Sequence, residues 1–208
     1  MHNILSKIHL EDIYRGFAPM PESITGWGGD DPIFDILIKR IRPRVVVEVG
    51  TWKGQSAITM AEACRTYQLN CAIICVDTWL GSEEHLLKCP NELRPANGYP
   101  KLYYQFLSNV VHRRVHEWIV PLPTTSLTAA NVLAQLGIRA DLVYIDANHQ
   151  YEAVLADLNA FLPLLTPGGI MFGHDYCWDS VQRGVANFCA SRGFGHSTAG
   201  DFWILDVR

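Results

Sequence analysis

Four acidic residues, Glu48, Asp77, Asp146 and Asp175, close or follow apolar runs, and His149 and His174 stand within three positions of two of them. Carboxylates take hydrogen bonds from hydroxyl and ammonium groups. An imidazole with a near-neutral pKa suits removal of a hydroxyl proton, which makes His149 a candidate general base. Two carboxylates and an imidazole, Asp146, Asp175 and His174, can also hold one divalent ion that binds a substrate hydroxylate and lowers its pKa. An all-oxygen set favours Mg²⁺, and a histidine ligand shifts the preference toward Mn²⁺ or Zn²⁺. Asp146 and Asp175 as metal-free polar groups of a substrate pocket is an equal reading. His112 and His116 have an i, i+4 spacing that zinc sites use, but Arg113 and Arg114 between them predict a solvated basic face.

The segment Val45-Val46-Val47-Glu48-Val49-Gly50-Thr51-Trp52-Lys53-Gly54-Gln55-Ser56 shows what positions these groups. Four β-branched residues in five positions predict a strand buried on both faces. Gly50 and Gly54 predict a turn where backbone approaches a ligand, and Ala57, Met60, Ala61 and Cys64 follow at helical spacing. The G-x-x-x-G spacing lacks the third glycine of a nicotinamide fingerprint, and no Gly-Lys-Ser/Thr makes a P-loop. A carboxylate at Glu48 would repel phosphate. A nucleoside ligand without phosphate at the turn is the reading that remains.

Cys71–Asp77, Trp118–Leu122, Asp141–Asp146 and Ile170–Asp175 read as further strands, alternating with helices. The helix after Asp146 carries Tyr151, Val154, Leu155, Leu158, Phe161, Leu162 and Leu165 on one face, and Pro167-Gly168-Gly169 is read as its stop. Such alternation predicts a doubly wound, mostly parallel α/β sheet with helices on both faces and right-handed crossovers. Ligands in these sheets bind at the carboxyl ends of the strands, where the acids stand. Phe194 to Val207 reads as an antiparallel hairpin around Ala199-Gly200-Asp201. Residues 1–208 form one expected domain, with 1–43 an N-terminal helical appendage. Its second helix starts at Asp31-Pro32 and is expected to bury Ile33, Ile36, Leu37 and Ile41. Thr78 to Pro100 has little periodicity and reads as a lid or substrate loop.

A chain of 208 residues with 49% hydrophobic and 18% charged content supports a sizeable core. A net charge of −4 excludes an electrostatic footprint for nucleic acid or an anionic membrane surface. No window reaches the ~20 apolar residues of a membrane helix. Polar residues interrupt Met1–Leu10, which speaks against a signal peptide. Six cysteines without a C-x-x-C pair suit free thiols in a reducing compartment. A cytoplasmic protein is expected, with a homo-oligomer left open.

The motifs Glu48-Val49-Gly50-Thr51-Trp52-Lys53-Gly54, Val76-Asp77-Thr78-Trp79, Ile145-Asp146-Ala147-Asn148-His149-Gln150-Tyr151 and Pro167-Gly168-Gly169 to Asp175-Tyr176 resemble those of class I S-adenosylmethionine-dependent methyltransferases. Within that class the chain is similar to small bacterial O-methyltransferases of the sugar and natural-product type. The resemblance implies a Rossmann-like sheet of strand order 3-2-1-4-5 with the terminal hairpin at its edge. It implies S-adenosylmethionine as cofactor, with a divalent cation (Mg²⁺ or Mn²⁺) in some relatives, and a small-molecule acceptor. It assigns Glu48, Gly50 and Gly54 to the cofactor loop, with Glu48 facing the methionine amino group and Thr51 and Ser56 adding hydrogen bonds. Asp77 would accept from the ribose hydroxyls, Trp79 would pack beside adenine or ribose, and Ser126 would touch the adenine edge. His149, Asp146 and Asp175 would serve the reaction, and Asp146, His174 and Asp175 the metal. A nicotinamide-dependent oxidoreductase and a non-catalytic nucleoside-binding protein are the competing readings.

Overall fold

The computed structural model describes residues 2–9 and 11–207. Its centre is one sheet of seven strands in the order β3-β2-β1-β4-β5-β7-β6. The strands are β1 (Val45–Val49), β2 (Ala72–Asp77), β3 (Ile119–Pro123), β4 (Ala140–Ile145), β5 (Leu165–Gly173), β6 (Gly195–Ala199) and β7 (Phe202–Asp206). The first five run parallel, and the β6–β7 hairpin joins β5 antiparallel. The expected order and edge hairpin are both present.

Helices cover both faces: α1 (His2–Ile8), α2 (Pro32–Ile41), α3 (Gln55–Thr66), α4 (Glu83–Lys88), α5 (Leu102–His112), α6 (Ser126–Gln135), α7 (Tyr151–Phe161) and α8 (Asp179–Arg192). One core gathers α2, α3 and α5 against the sheet, and the other gathers α6, α7 and α8. Alternate β1 residues feed the two cores, Val46 into the first and Val47 and Val49 into the second, as the period of a strand requires.

Asp31 caps α2 by accepting from Ile33 N–H at 2.8 Å, and Pro32 takes the first helical position. The helix buries Ile33, Phe34, Leu37 and Ile38, and Ile36 is exposed, contrary to the expected face. The Phe34 ring meets Tyr144, Phe172 and Phe202 edge-on at 5.1–6.0 Å. Such pairs add about 0.5–1.5 kcal/mol each beyond area burial, so α2 is part of the core rather than an appendage.

Three further boundaries differ from the sequence reading. β5 starts at Leu165, so Pro167-Gly168-Gly169 lies within the strand, where Gly168 takes a φ of +80° and the β4–β5 register shifts. The Thr78–Pro100 stretch contains α4 and a 3-10 turn over Pro90–Leu93 whose Leu93 is buried. His116 lies beyond the end of α5, so it does not share a helix with His112. Among the described residues, no helix is long and apolar enough to cross a membrane.

Candidate active site

Three backbone hydrogen bonds extend the parallel ladder past its strands and set the edge where the acids converge. Gly50 N–H donates to Val76 O at 2.9 Å, Asp146 N–H to Val49 O at 2.8 Å, and His174 N–H to Ile145 O at 3.2 Å. Gly50 adopts a φ of +88°, and a Cβ there would lie 1.9 Å from Asp146 O. Only glycine meets both conditions. A Cβ at Gly54 (φ +86°) would lie 2.6 Å from the Phe106 ring. Both glycines therefore serve close packing of protein on protein at this turn.

Glu48 is fully buried. The Thr51 hydroxyl donates to its Oε2 at 2.8 Å, and the Ser56 hydroxyl donates to its Oε1. Burial pushes its pKa up to about 8, more than these hydrogen bonds lower it. Burial thus favours the neutral form of Glu48, which ties the turn to α3. The three residues expected at the cofactor loop are thus joined to one another, both hydroxyls donating to Glu48.

Asp77 also holds the turn. Its Oδ2 accepts from Thr51 N–H at 2.9 Å and Trp52 N–H at 2.8 Å, and its Oδ1 from Trp79 N–H at 2.7 Å. A carboxylate offers about four lone-pair sites. One remains, on Oδ1, so Asp77 can take one ribose hydroxyl and not two. Burial raises its pKa against the pull of those three N–H groups.

Two residues expected at the nucleoside lie against protein groups. The Trp79 ring is 1% exposed, stacks on Phe106 at 5.0 Å and donates its Nε1–H to Trp52 O at 2.8 Å. It is core and does not line a nucleoside site. Ser126 begins α6 beside the buried Asp157 of α7, whose carboxyl pKa burial pushes up and Ser126 pulls down.

The residues expected to carry the reaction do come together. His149 Nε2 lies 2.6 Å from Asp175 Oδ2, and the Tyr144 hydroxyl donates to Asp146 Oδ2 at 2.8 Å. Asp146, His149 and Asp175 each place one donor atom within 4.8 Å of the others. His174 is not in that set. It groups instead with Asp175 and Asp201, at 3.4 Å from Asp175 Oδ1 and 3.9 Å from Asp201 Oδ2. The metal set of Asp146, His174 and Asp175 is therefore replaced by two sets that share Asp175. Asp175 itself adopts a φ of +57°, a strained value for a residue with a side chain.

Burial, then the neighbouring Asp175 carboxylate, lifts the Asp146 carboxyl to about 6. Burial pushes Asp175 up too, but the His149 and His174 imidazoles outweigh it and hold this carboxyl well below the usual range. The contact with Asp175 raises the His149 pKa, and burial opposes it. The Trp178 ring stacks on His149 at 5.1 Å with its other surface half exposed.

Asp201 and Trp178 were not foreseen. The β5–β7 register pairs Gly173 with Trp203. Counting outward along an antiparallel ladder sets Asp201 opposite Asp175, so only the pairing register, added to the predicted hairpin, could have found it.

A family model described as "Methyltransferase domain" matches residues 47–176, from β1 through the acidic end of β5. The chain is 25% identical over 170 residues to the uncharacterized protein y4gI of Sinorhizobium fredii, which covers 82% of this chain and 17% of that protein. It thus spans under a fifth of that relative's length. Among solved structures, an O-methyltransferase from Bacillus cereus in complex with SAH covers 98% of this chain and 89% of its own, with TM-score 0.59 and 15% identity. The calicheamicin methyltransferase CalS11 covers 84% and 77%, with TM-score 0.63 and 20% identity. TomG of Streptomyces achromogenes, an O-methyltransferase in complex with SAM, covers 97% and 87%, with TM-score 0.60 and 16% identity. These three likenesses show a shared Rossmann-like fold. With residues 47–176 of its 208 matched by the family model, the chain belongs to the methyltransferase-domain family.

Proposed function

We propose that this chain transfers the methyl group of S-adenosylmethionine to a hydroxyl oxygen of a small molecule. The observation that carries the reading is the Asp146–His149–Asp175 cluster set against the Gly50 turn, at the carboxyl edge of the central strands. The cofactor fits this edge, where the buried atoms Trp52 Nε1 and Gln55 Oε1 lack hydrogen-bond partners and Asp77 keeps a free lone-pair site. A sugar or glycan unit is the acceptor class we favour. Solved structures of the same fold include a TDP-rhamnose 3'-O-methyltransferase and an O-methyltransferase of tomaymycin synthesis.

S-adenosylmethionine, when bound, supplies an electrophilic methyl on sulfur. The chain's own part is to orient and deprotonate the acceptor. With Nε2 held by Asp175, the His149 ring carries its proton on Nε2 and turns Nδ1, with its lone pair, to the acceptor hydroxyl. Asp175 steadies the imidazolium that forms. Trp178, stacked on the other side, fixes the ring plane and offers an apolar wall. Orientation of the acceptor oxygen supplies most of the acceleration, and general-base assistance contributes about 10²–10⁴-fold.

A second reading keeps the residues and changes their task. Asp175 and Asp201 have histidines as ion partners, Asp146 accepts from the neutral Tyr144 hydroxyl, and buried carboxylates are ordinarily paired with cations or coordinate metals. Asp146, His149 and Asp175 fit one Mg²⁺ or Mn²⁺, which would supply Lewis-acid polarisation of the acceptor oxygen.

Isothermal titration with S-adenosylmethionine, followed by transfer from the methyl-labelled cofactor to a panel of hydroxylated small molecules, tests the proposal. Donor binding that survives His149→Ala while transfer is lost is the expected result. No binding at about millimolar donor, or unchanged transfer in the variant, overturns it.

A further inference from the structure

The segment from His174 to Trp178 joins β5 to α8 and carries two contacts that fix His149. Asp175 Oδ2 lies 2.6 Å from its Nε2, and the Trp178 ring stacks on it at 5.1 Å with planes 16° apart. The chain does not take this shape unaided. Asp175 stands at a φ of +57°, a region that penalises a residue with a side chain, so its neighbours must hold it there.

The β6–β7 hairpin supplies the holding contacts. Asp201, in the hairpin turn, accepts three times. Its Oδ1 takes Cys177 N–H at 2.6 Å, its Oδ2 the Cys177 thiol at 3.2 Å, and its backbone oxygen Tyr176 N–H at 3.0 Å. Farther along the hairpin, Trp203 Nε1–H donates to His174 O at 3.2 Å, and His196 Nε2 meets the Tyr176 hydroxyl at 2.7 Å. Within the segment, Trp178 N–H closes on Asp175 O at 3.0 Å. The residues on both sides of Asp175, and the one before Trp178, are thus each tied to the hairpin.

Three of these bonds converge on Asp201. Both of its carboxylate oxygens receive Cys177, and His174 Nε2 stands 3.9 Å away, beyond hydrogen-bonding distance. We propose that Asp201 is a positioning residue: by holding Tyr176 and Cys177 it sets Asp175 and Trp178 against His149. It acts through the loop and not on a reacting atom. Its consequence for catalysis rests on the proposed function; the clamp itself rests on the geometry alone. A clamp needs an acceptor at this position, whereas a metal ligand or a charge partner for His174 needs the negative charge. Asn keeps an amide oxygen for Cys177 N–H and loses the charge, and Ala loses both.

Asp201→Ala and Asp201→Asn on the full chain test this. Asp201 is 35% exposed in a surface turn, so both variants are expected to fold, which urea unfolding checks. The proton resonance of His149 Cε1–H, assigned by its absence in His149→Gln, reads the stack, because a tryptophan ring above an imidazole moves it upfield. Spectra are taken at alkaline pH, where the ring is neutral, and Trp178→Leu marks the unstacked position. Asp201→Ala is expected to lose most of the upfield displacement and Asp201→Asn to retain most of it. With methyl-labelled S-adenosylmethionine and the panel of hydroxylated small molecules, Asp201→Ala is expected to lower kcat about tenfold, the size of one hydrogen bond to a charged group. The KM for S-adenosylmethionine should stay within about twofold, and Asp201→Asn should recover most of the loss. An unmoved resonance or an unchanged kcat in Asp201→Ala overturns the proposal. So does an Asp201→Asn loss equal to that of Asp201→Ala, which would assign the role to the charge. A resonance that moves and is rescued in a parent chain that transfers no methyl group leaves the clamp standing and overturns the methyl-transfer reading instead.

Discussion

Replacing Gly50 by alanine tests the contact on which the site geometry depends. An alanine Cβ would stand 1.9 Å from Asp146 O, where real contacts stay beyond 3.0 Å, so the β1–α3 and β4–α7 turns must part by about 1.1 Å. The left-handed φ of +88° adds about 1–2 kcal/mol for a residue with a Cβ. Forced backbone shifts in packed regions cost about 1–3 kcal/mol more, for a total of about 2–5 kcal/mol. Gly168→Ala is the control, since it has a φ of +80° and nothing within 4 Å of its added Cβ. It should lose only the conformational part. Urea unfolding at neutral pH measures both, and Gly50→Ala should exceed Gly168→Ala by about 1–3 kcal/mol. Displacing Asp146 by about 1 Å should also cost roughly 10²-fold in methyl transfer, a loss the control does not share. Equal destabilisation of the two variants, with equal turnover, would show that the tight contact constrains neither fold nor site.

Two further predictions concern protons. Asp175 raises the His149 pKa above the ordinary value of 6.5, so base catalysis by His149 should rise with pH through a midpoint above 6.5. Asp175→Asn removes the cause and should move that midpoint down in a kcat/KM–pH profile; an unmoved midpoint assigns the titration to another group. Glu48 has its folded pKa raised from 4.5 to about 8, so its contribution to stability is complete below pH 4.5 and is lost as pH rises to 8. Glu48→Gln cannot ionise, and its stability relative to the parent should grow across that window by on the order of 4 kcal/mol, read from urea midpoints. A flat difference between pH 5 and pH 8 refutes a neutral Glu48.

The sequence by itself determined the sheet. The valines of β1 and the apolar runs of β2 and β4 are long enough and β-branched enough to be buried strands, and helical spacing between them leaves a parallel doubly wound order as the outcome. It also determined that acids stand at the strand ends, because each strand must stop where its apolar run stops. The tertiary structure decided what each acid does. Glu48 and Asp77 look alike in sequence, yet both are turned inward to serve the Gly50–Gly54 turn. Partners eight and twenty-five residues away, Ser56 and Trp52, claim their oxygens. Asp146 and Asp175 are brought into one cluster by ladder bonds between strands, and Asp201 joins through a hairpin register that no local pattern encodes. Trp79 went into the core because a large ring gains more from burial against Phe106 and Tyr103 than a motif position reveals. Strand identity is local, since it follows from periodicity along the chain. The direction a carboxylate faces is not, since it depends on which distant N–H, hydroxyl or imidazole reaches it first.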